Sequence, residues 1–94
     1  GADMGEPKSA FKIGYIKHDH QHYREAEKYY LIAANKGHVT AMFNLAVIYT
    51  SFGNYENAKK WAKKAGENGD SEGYVYLKKI EEEERKEKEI LGEN

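Results

Sequence analysis

The side chains best suited to chemistry in this 94-residue chain are three of its four histidines, His18, His20 and His22, with Asp19 between the first two. Neutral imidazoles and a carboxylate are ligands that zinc, copper and nickel accept. If the segment were helical, His18 and His22 would share a face. The repeat described below places the segment at a turn, where exposed polar residues are common. We predict an exposed turn and no resident metal, and the three histidines remain the alternative metal ligands.

The sequence contains no motif of an enzyme. It has no glycine-rich phosphate loop, no zinc-binding H-E-x-x-H helix and no Ser/His/Asp arrangement that differs from chance. Its charged residues fall on solvent-facing positions of the helices predicted below, and cysteine is absent. We therefore predict no catalytic residues, no cofactor and no enzymatic activity.

The balance of charge and hydropathy excludes several classes of partner. Fifteen basic and sixteen acidic side chains give a net charge of -1, which provides no overall positive field for a nucleic acid. The sequence has no apolar run of about 18 residues and no basic stretch followed by an apolar core at its start. We expect no membrane span and no signal peptide. A cytoplasmic location is favoured, with secretion or a periplasmic location left open.

A repeat with a period of 32 residues runs along most of the chain, and it includes an aromatic exchange of Tyr29 for Trp61. The identical pairs are Tyr23 and Tyr55, Ala26 and Ala58, Lys28 and Lys60, Ala33 and Ala65, Gly37 and Gly69, Leu45 and Leu77, and Ile48 and Ile80. The register extends backwards, with Phe11 on Phe43 and Ile16 on Ile48. A fixed period of this kind is typical of stacked repeats, and about two and a half copies are present.

Apolar residues within each copy have helical spacing, which predicts an all-α fold. The expected helices span residues 7–19, 23–36, 40–52, 55–68 and 71–90. Pro7 suits a first helical turn, and Asn54 and Asp70 stand where N-caps belong. Gly37 and Gly69 stand where a left-handed C-terminal cap is expected. Each copy is therefore a helical hairpin.

Small residues recur where paired helices must approach closely, and they leave room for a neighbour's larger side chains. They are Gly14, Ala26, Ala33, Ala41, Ala46, Ala58, Ala65 and Gly73. A single hairpin cannot bury its apolar stripe, so each copy depends on the next. We predict an α-α superhelix, or solenoid, of about two and a half hairpins and five helices.

The residues of this stack resemble the tetratricopeptide superfamily and, within it, the Sel-one-like repeats, over roughly residues 9–80. The tetratricopeptide likeness rests on Asn44, Leu45, Ala46, Tyr49, Gly53, Tyr55, Ala58 and Ala65. The Sel-one-like likeness rests on the stretch from Ala33 to His38 running on to Ala41, with a looser echo from Ala65 to Asp70. The period of 32 is shorter than is usual in either family, and the proline that usually ends a repeat is absent.

The resemblance implies an adaptor whose first helices line a concave groove for a peptide or a helix of a partner protein. Some tetratricopeptide domains hold a terminal carboxylate with Lys and Asn at the fifth and ninth repeat positions. The residues at these positions here are Phe11, Tyr15, Phe43, Val47, Val75 and Lys79. They predict an apolar, aromatic groove instead of that clamp. The alternative is that they are buried beneath neighbouring helices.

The carboxy-terminal stretch after Lys78 is strongly charged and rich in opposite-charge pairs three or four residues apart. It predicts a solvated helix that caps the last hairpin, with Tyr74, Leu77, Ile80 and also Ile90 and Leu91 directed inward. The alternative is a linker to further sequence. We expect residues 1–6 to be disordered or a tag remnant, residues 7–91 to form the repeat domain, and residues 92–94 to be a tail.

These observations predict a protein-interaction scaffold that binds a peptide or helix of a partner through the groove. The rival hypothesis is structural: about three repeats are usually needed for a stable stack, so the chain would be part of a longer solenoid or would form homo-oligomers. A metal-binding module that uses the histidine turn is the third hypothesis.

Overall fold

The computed structural model describes residues 7–92, and within them the protein consists of five α-helices and no strand. The helices are α1 (Pro7–Asp19), α2 (Tyr23–Asn35), α3 (Val39–Ser51), α4 (Tyr55–Glu67) and α5 (Ser71–Ile90). Each predicted boundary lies within one residue of the observed one. The all-α hairpin fold predicted from the repeat is therefore confirmed. The expectations for residues 1–6 and for 93 and 94 lie outside the described residues.

The turns between helices use the residues that the repeat singled out. Gly37 and Gly69 have φ angles of 93° and 109°, in the left-handed region that favours glycine. The side chain of Asn54 accepts a hydrogen bond from the amide of Asn57, and that of Asp70 accepts one from Glu72. Both predicted N-caps are thus present, and they satisfy amide groups that have no partner within their helices.

Successive helices pack side by side in chain order, so that α2 lies against α1, α3 against α2, α4 against α3 and α5 against α4. The stack measures 52 × 27 × 16 Å. Each inner helix therefore has a neighbour on both sides. Among residues 7–92, none of the helices combines the length and the hydropathy that a membrane span requires.

Small residues allow the close approach that the sequence predicted. A β-carbon on Gly14 of α1 would lie 2.7 Å from the ring of Tyr30 in α2. One on Gly73 of α5 would lie 2.5 Å from the backbone oxygen of Ala62 in α4. Alanines fill much of the remaining contact area between helices, and Leu45 and Ile48 supply larger buried side chains. The core is therefore a continuous layer of small residues with a few large ones between them.

Tyr30 is the largest of the fully buried side chains and connects three helices. Its hydroxyl accepts a hydrogen bond of 3.3 Å from the side-chain amide of Asn44 in α3 and lies 3.2 Å from Nδ1 of His18 in α1. Burial raises the pKa of Tyr30. The first hairpin is thereby joined to the second by a polar contact inside the stack.

The long helix α5 is attached to α4 by polar contacts as well as by its buried Ile80. The hydroxyl of Tyr55 donates to Glu87 at 2.5 Å, and Lys59 pairs with Glu84 at 2.7 Å. The hydrogen bond to Glu87 is the main cause that raises the pKa of Tyr55 to about 12. These contacts hold the charged half of α5 on the hairpin before it.

Three residues of α5 differ from the expectation that they point inward: Tyr74, which is 46% exposed although its ring lies against Gly66 of α4, and two apolar residues near the end of the helix. Ile90 is 83% exposed and Leu91 is 65% exposed, although they were expected to point inward. The cause for these two is length: α5 has 20 residues and α4 has 13, so the last turns of α5 extend beyond the helix on which it packs.

Candidate functional site

The predicted groove residues lie on α1, α3 and α5, and none of the six is buried. Tyr15 is 57% exposed and Val75 is 62% exposed, and Lys79 is also exposed. The other three, Phe11, Phe43 and Val47, are half-buried. Tyr15, Val75 and Lys79 are thus accessible, whereas Phe11 and Phe43 also pack against the buried core, so the alternative of burial beneath neighbouring helices describes part of the set.

We call the surface formed by the groove residues and Tyr76 the aromatic face: Phe11, Tyr15, Phe43, Val47, Val75, Tyr76 and Lys79. Two ring contacts lie within it, one on α1 and one between α3 and α5. The ring centroids of Phe11 and Tyr15 are 6.2 Å apart on α1. Those of Phe43 on α3 and Tyr76 on α5 are 5.3 Å apart. These separations are typical of favourable aromatic pairs. Ring contact therefore connects α3 with α5 across this face, and Phe11 and Tyr15 form a second aromatic pair on α1.

Next to this contact lies a shallow depression of about 190 Å³ between α3 and α5. Its lining includes Thr50 from α3 and Tyr76, Lys79, Ile80 and Glu83 from α5. The volume suits one side chain of a bound peptide. Tyr76 was missed in the sequence because the repeat register points to its neighbour Val75.

At the other end of the face, the ring of Phe11 stacks on the imidazole of His38, with centroids 4.5 Å apart and planes inclined by 19°. His38 also caps α3, since its Nδ1 accepts a hydrogen bond of 3.1 Å from the amide of Ala41. Two depressions of about 510 and 330 Å³ share Lys8 and His38 in their linings. Lys36 lines the first and Lys12 the second.

We call the group of Lys8, Lys12, Lys36 and His38 the basic end of the aromatic face. The sequence did not predict this group, although one signal for it was present. His38 precedes Asp70 by one repeat period of 32, so the N-cap predicted at Asp70 implies an N-cap at His38 as well. The lysines carried no signal, because isolated lysines on helices are ordinarily solvated. Their grouping depends on how α1 packs beside the turn between α2 and α3.

The structure does not gather the three candidate metal ligands at one point. His18 lies in the last turn of α1, and its ring packs edge-on against Tyr23 in addition to contacting Tyr30. The rings of His20 and His22 are 6.3 Å apart. Within residues 7–92, no group of three or more His, Asp or Glu side chains is arranged to hold a metal ion. Metal binding by these histidines was the alternative to the predicted exposed turn, and it stays untested.

The carboxylates with the clearest electrostatic environment form surface pairs with basic side chains. Lys17, at 3.2 Å from Glu25, lowers the pKa of that carboxyl group, and Lys59 does the same for Glu84. No polar or charged residue among those described is buried. Glu25 and Glu84 each pair with a lysine on the neighbouring helix, so they form surface ion pairs between packed helices.

The geometry defines a stack of antiparallel helical hairpins with one aromatic face. A tetratricopeptide repeat is found at residues 39–65, which covers α3 and most of α4. No curated protein matches the chain at a significant level. The match is to the tetratricopeptide repeat as such, and the finer resemblance to Sel-one-like repeats is not confirmed. Tetratricopeptide repeats commonly mediate protein–protein interactions and are typically non-enzymatic scaffolds.

Proposed function

We propose that this protein is an interaction scaffold that binds a peptide or a helix of a partner protein on the aromatic face. The observation that carries the proposal is that the six apolar or aromatic side chains of the aromatic face, Phe11, Tyr15, Phe43, Val47, Val75 and Tyr76, all remain at least partly accessible. Exposed aromatic side chains on a rigid support are efficient anchors for a partner, because little conformational entropy is lost when they bind.

The arrangement of helices supports the same proposal. The face is built on three helices whose positions are set by packing against α2 and α4, and it does not depend on a loop. A surface prepared in this way needs little rearrangement on binding. The tetratricopeptide repeat at residues 39–65 contains Phe43 and Val47 at the centre of the face.

The proposal can be tested with peptides selected from a displayed random library on the purified protein. We expect the amide shifts caused by the strongest peptide to cluster on α1, α3 and α5. A double variant, Tyr15→Ser with Val75→Ser, is expected to weaken binding by about 5- to 30-fold, the range for loss of one or two important contacts. Both residues are exposed, so the fold should remain intact.

Ile90→Ser is the matched control, because Ile90 is a more exposed apolar residue that lies beyond the stack. It should leave the affinity unchanged. Shifts that cluster on α2 and α4, or an equal loss of affinity in the control, would contradict the proposal.

A second candidate function is supported by one comparison within the repeat. Ile16, Ile48 and Ile80 occupy the same repeat position, yet Ile48 and Ile80 are each 1% exposed and Ile16 is 53% exposed. On α5 this position is covered by the preceding hairpin, and α1 has no preceding hairpin within the described residues. The first helix thus has a free stacking surface that a further hairpin or a second copy of the chain would cover.

Self-association through this surface can be measured by light scattering over a concentration series. We expect the mass to rise with concentration for the natural sequence and to rise less for Ile16→Lys. Ile90→Lys, which places the same charge on an exposed apolar residue elsewhere, should behave like the natural sequence. A monomer at every concentration would argue against this candidate.

A further inference from the structure

We propose that the basic end of the aromatic face is a docking site for an acidic segment of a partner protein. In this site, carboxylates pair with Lys8, Lys12 and Lys36, and an apolar side chain of the segment lies against the Phe11–His38 pair. The inference rests on the proposed function and adds the chemical class of the partner.

The first observation is the shape of this end of the molecule. The two depressions lie side by side between the start of α1 and the turn from α2 to α3, and both include Lys8 and His38. They adjoin the aromatic face, since Phe11 lines one of them. A bound segment can therefore occupy both regions at once.

The second observation is the charge of the lining. Among the described residues that line the two depressions there are three lysines and no carboxylate. No described carboxylate lies within ion-pair distance of these lysines, whereas Lys17, Arg24 and Lys59 each pair with a glutamate elsewhere. A concave surface with charges of one sign attracts the opposite charge more strongly than a flat one.

The third observation is the orientation of the His38 ring and the position of its proton. Its Nδ1 accepts the hydrogen bond from Ala41, so in the neutral ring the proton is on Nε2, which is a donor. Stacking on Phe11 fixes the ring from one side, and the capping hydrogen bond fixes it in the plane. The site therefore combines three cations, one positioned N–H donor and an aromatic surface.

These features favour an acidic peptide over other anionic partners. The three lysines of this site occupy one end of a molecule with a net charge of -1, and three charges do not form the extended basic surface that a nucleic acid or a membrane requires. The adjoining aromatic face has the chemistry that receives apolar side chains of a peptide. A segment with carboxylates next to a tryptophan or leucine matches both parts.

The test uses three synthetic peptides of equal length with the same central Trp-Leu pair, flanked by glutamate, by glutamine or by lysine. Binding is measured by fluorescence anisotropy and located by amide shift mapping. Since one exposed ion pair raises affinity by a factor of about 1.4 to 5, three pairs predict affinity about 3- to 150-fold higher for the glutamate peptide than for the glutamine peptide. The shifts should include residues 8–12 and 36–39, and added salt should reduce the difference.

The decisive variant is the triple substitution Lys8→Gln, Lys12→Gln and Lys36→Gln. We expect it to lower the affinity for the glutamate peptide to that for the glutamine peptide. The matched control is Lys63→Gln, Lys78→Gln and Lys86→Gln, which removes the same charge from exposed positions elsewhere. This control should retain most of the preference.

The outcomes separate this inference from the proposed function. Equal binding of the glutamate and glutamine peptides, with shifts on the aromatic face, overturns acidic selectivity and leaves the proposed function supported. Binding of no peptide to any part of the face overturns both. Equal shifts with inorganic phosphate, or binding to phosphatidylserine vesicles with no peptide binding, would assign the lysines to another anion and overturn the inference.

Discussion

Gln21 occupies a backbone conformation that its side chain disfavours. Its φ angle is 64°, and every other described residue with a positive φ is a glycine. Gly53, one repeat later, occupies the equivalent turn. The first turn therefore has the geometry of the second without the residue that best suits it.

Gln21→Gly is expected to stabilise the protein. A left-handed conformation costs a non-glycine residue about 1–2 kcal/mol, and the greater freedom of glycine in the unfolded chain offsets about 0.5–1 kcal/mol of that gain. The free energy of unfolding, measured by chemical denaturation, should rise by about 0.5–1 kcal/mol. His20→Gly is the control, because His20 does not have a positive φ and the substitution should destabilise the protein. A loss of stability in Gln21→Gly would contradict the explanation.

Gly14 tests the close packing of α1 on α2. In an exposed helix, Gly→Ala ordinarily stabilises by up to about 1 kcal/mol. Here the added methyl group would lie 2.7 Å from the ring of Tyr30, which is fully buried and cannot move away. Gly14→Ala is therefore expected to destabilise by about 1–3 kcal/mol, the usual cost of overpacking. Thermal denaturation would measure it, and Lys12→Ala, at an exposed position on the same helix, should be close to neutral.

The contact between α4 and α5 depends on the ionisation of Tyr55. Its pKa is raised from the ordinary value of 10.0 to about 12, first by its hydrogen bond to Glu87 and then by burial. A raised pKa in the folded state means that the protonated phenol stabilises the fold. This contribution is fully present below pH 10 and is lost as the pH rises from 10 to about 12.

The difference between the absorbance titrations of the natural protein and Tyr55→Phe should therefore contain a phenolate step near pH 12. Glu87→Gln removes the carboxylate that accepts the hydrogen bond, and it should move this step towards 10.0. A step that remains near pH 12 in Glu87→Gln would show that the hydrogen bond is not the main cause.

Position in the stack decides how much an equivalent residue contributes to stability. Ile13, Leu45 and Leu77 share one repeat position, but Leu45 is fully buried while the other two are half-buried. Helix α3 has a neighbour on each side, and α1 and α5 stand at the two ends of the described stack. In such an array, stability is approximately a sum over interfaces between neighbours.

Leu45→Ala is accordingly expected to cost about 3–5 kcal/mol, as for fully buried leucines. Ile13→Ala should cost about 1–2 kcal/mol, because a half-buried side chain loses less buried apolar area. Urea denaturation of the two variants provides the comparison. Equal losses would indicate that the ends of the stack are covered in solution, which is the result expected if copies of the chain associate.

The repeat period was sufficient to predict the helices, their caps and the glycine turns, because these features depend on hydrogen bonds and side-chain spacing within a few residues. The six positions that it assigned to a groove are not buried in the structure, and their role in binding stays a prediction. The repeat did not predict the exposed fraction of each side chain. Ile16 and Ile48 occupy equivalent positions, but Ile16 is 53% exposed and Ile48 is 1% exposed, because different neighbours pack on them.

The contacts that shape the candidate site join residues distant in the chain. Phe11 meets His38, His18 meets Tyr30, and Phe43 meets Tyr76 only after the helices have packed. The length of α5 relative to α4 likewise left Ile90 exposed against expectation. Local pattern thus specified the helices and their order, because each helix forms its backbone hydrogen bonds within itself. The accessible surface and its grouped charges came from packing, because they depend on which helices are present on each side.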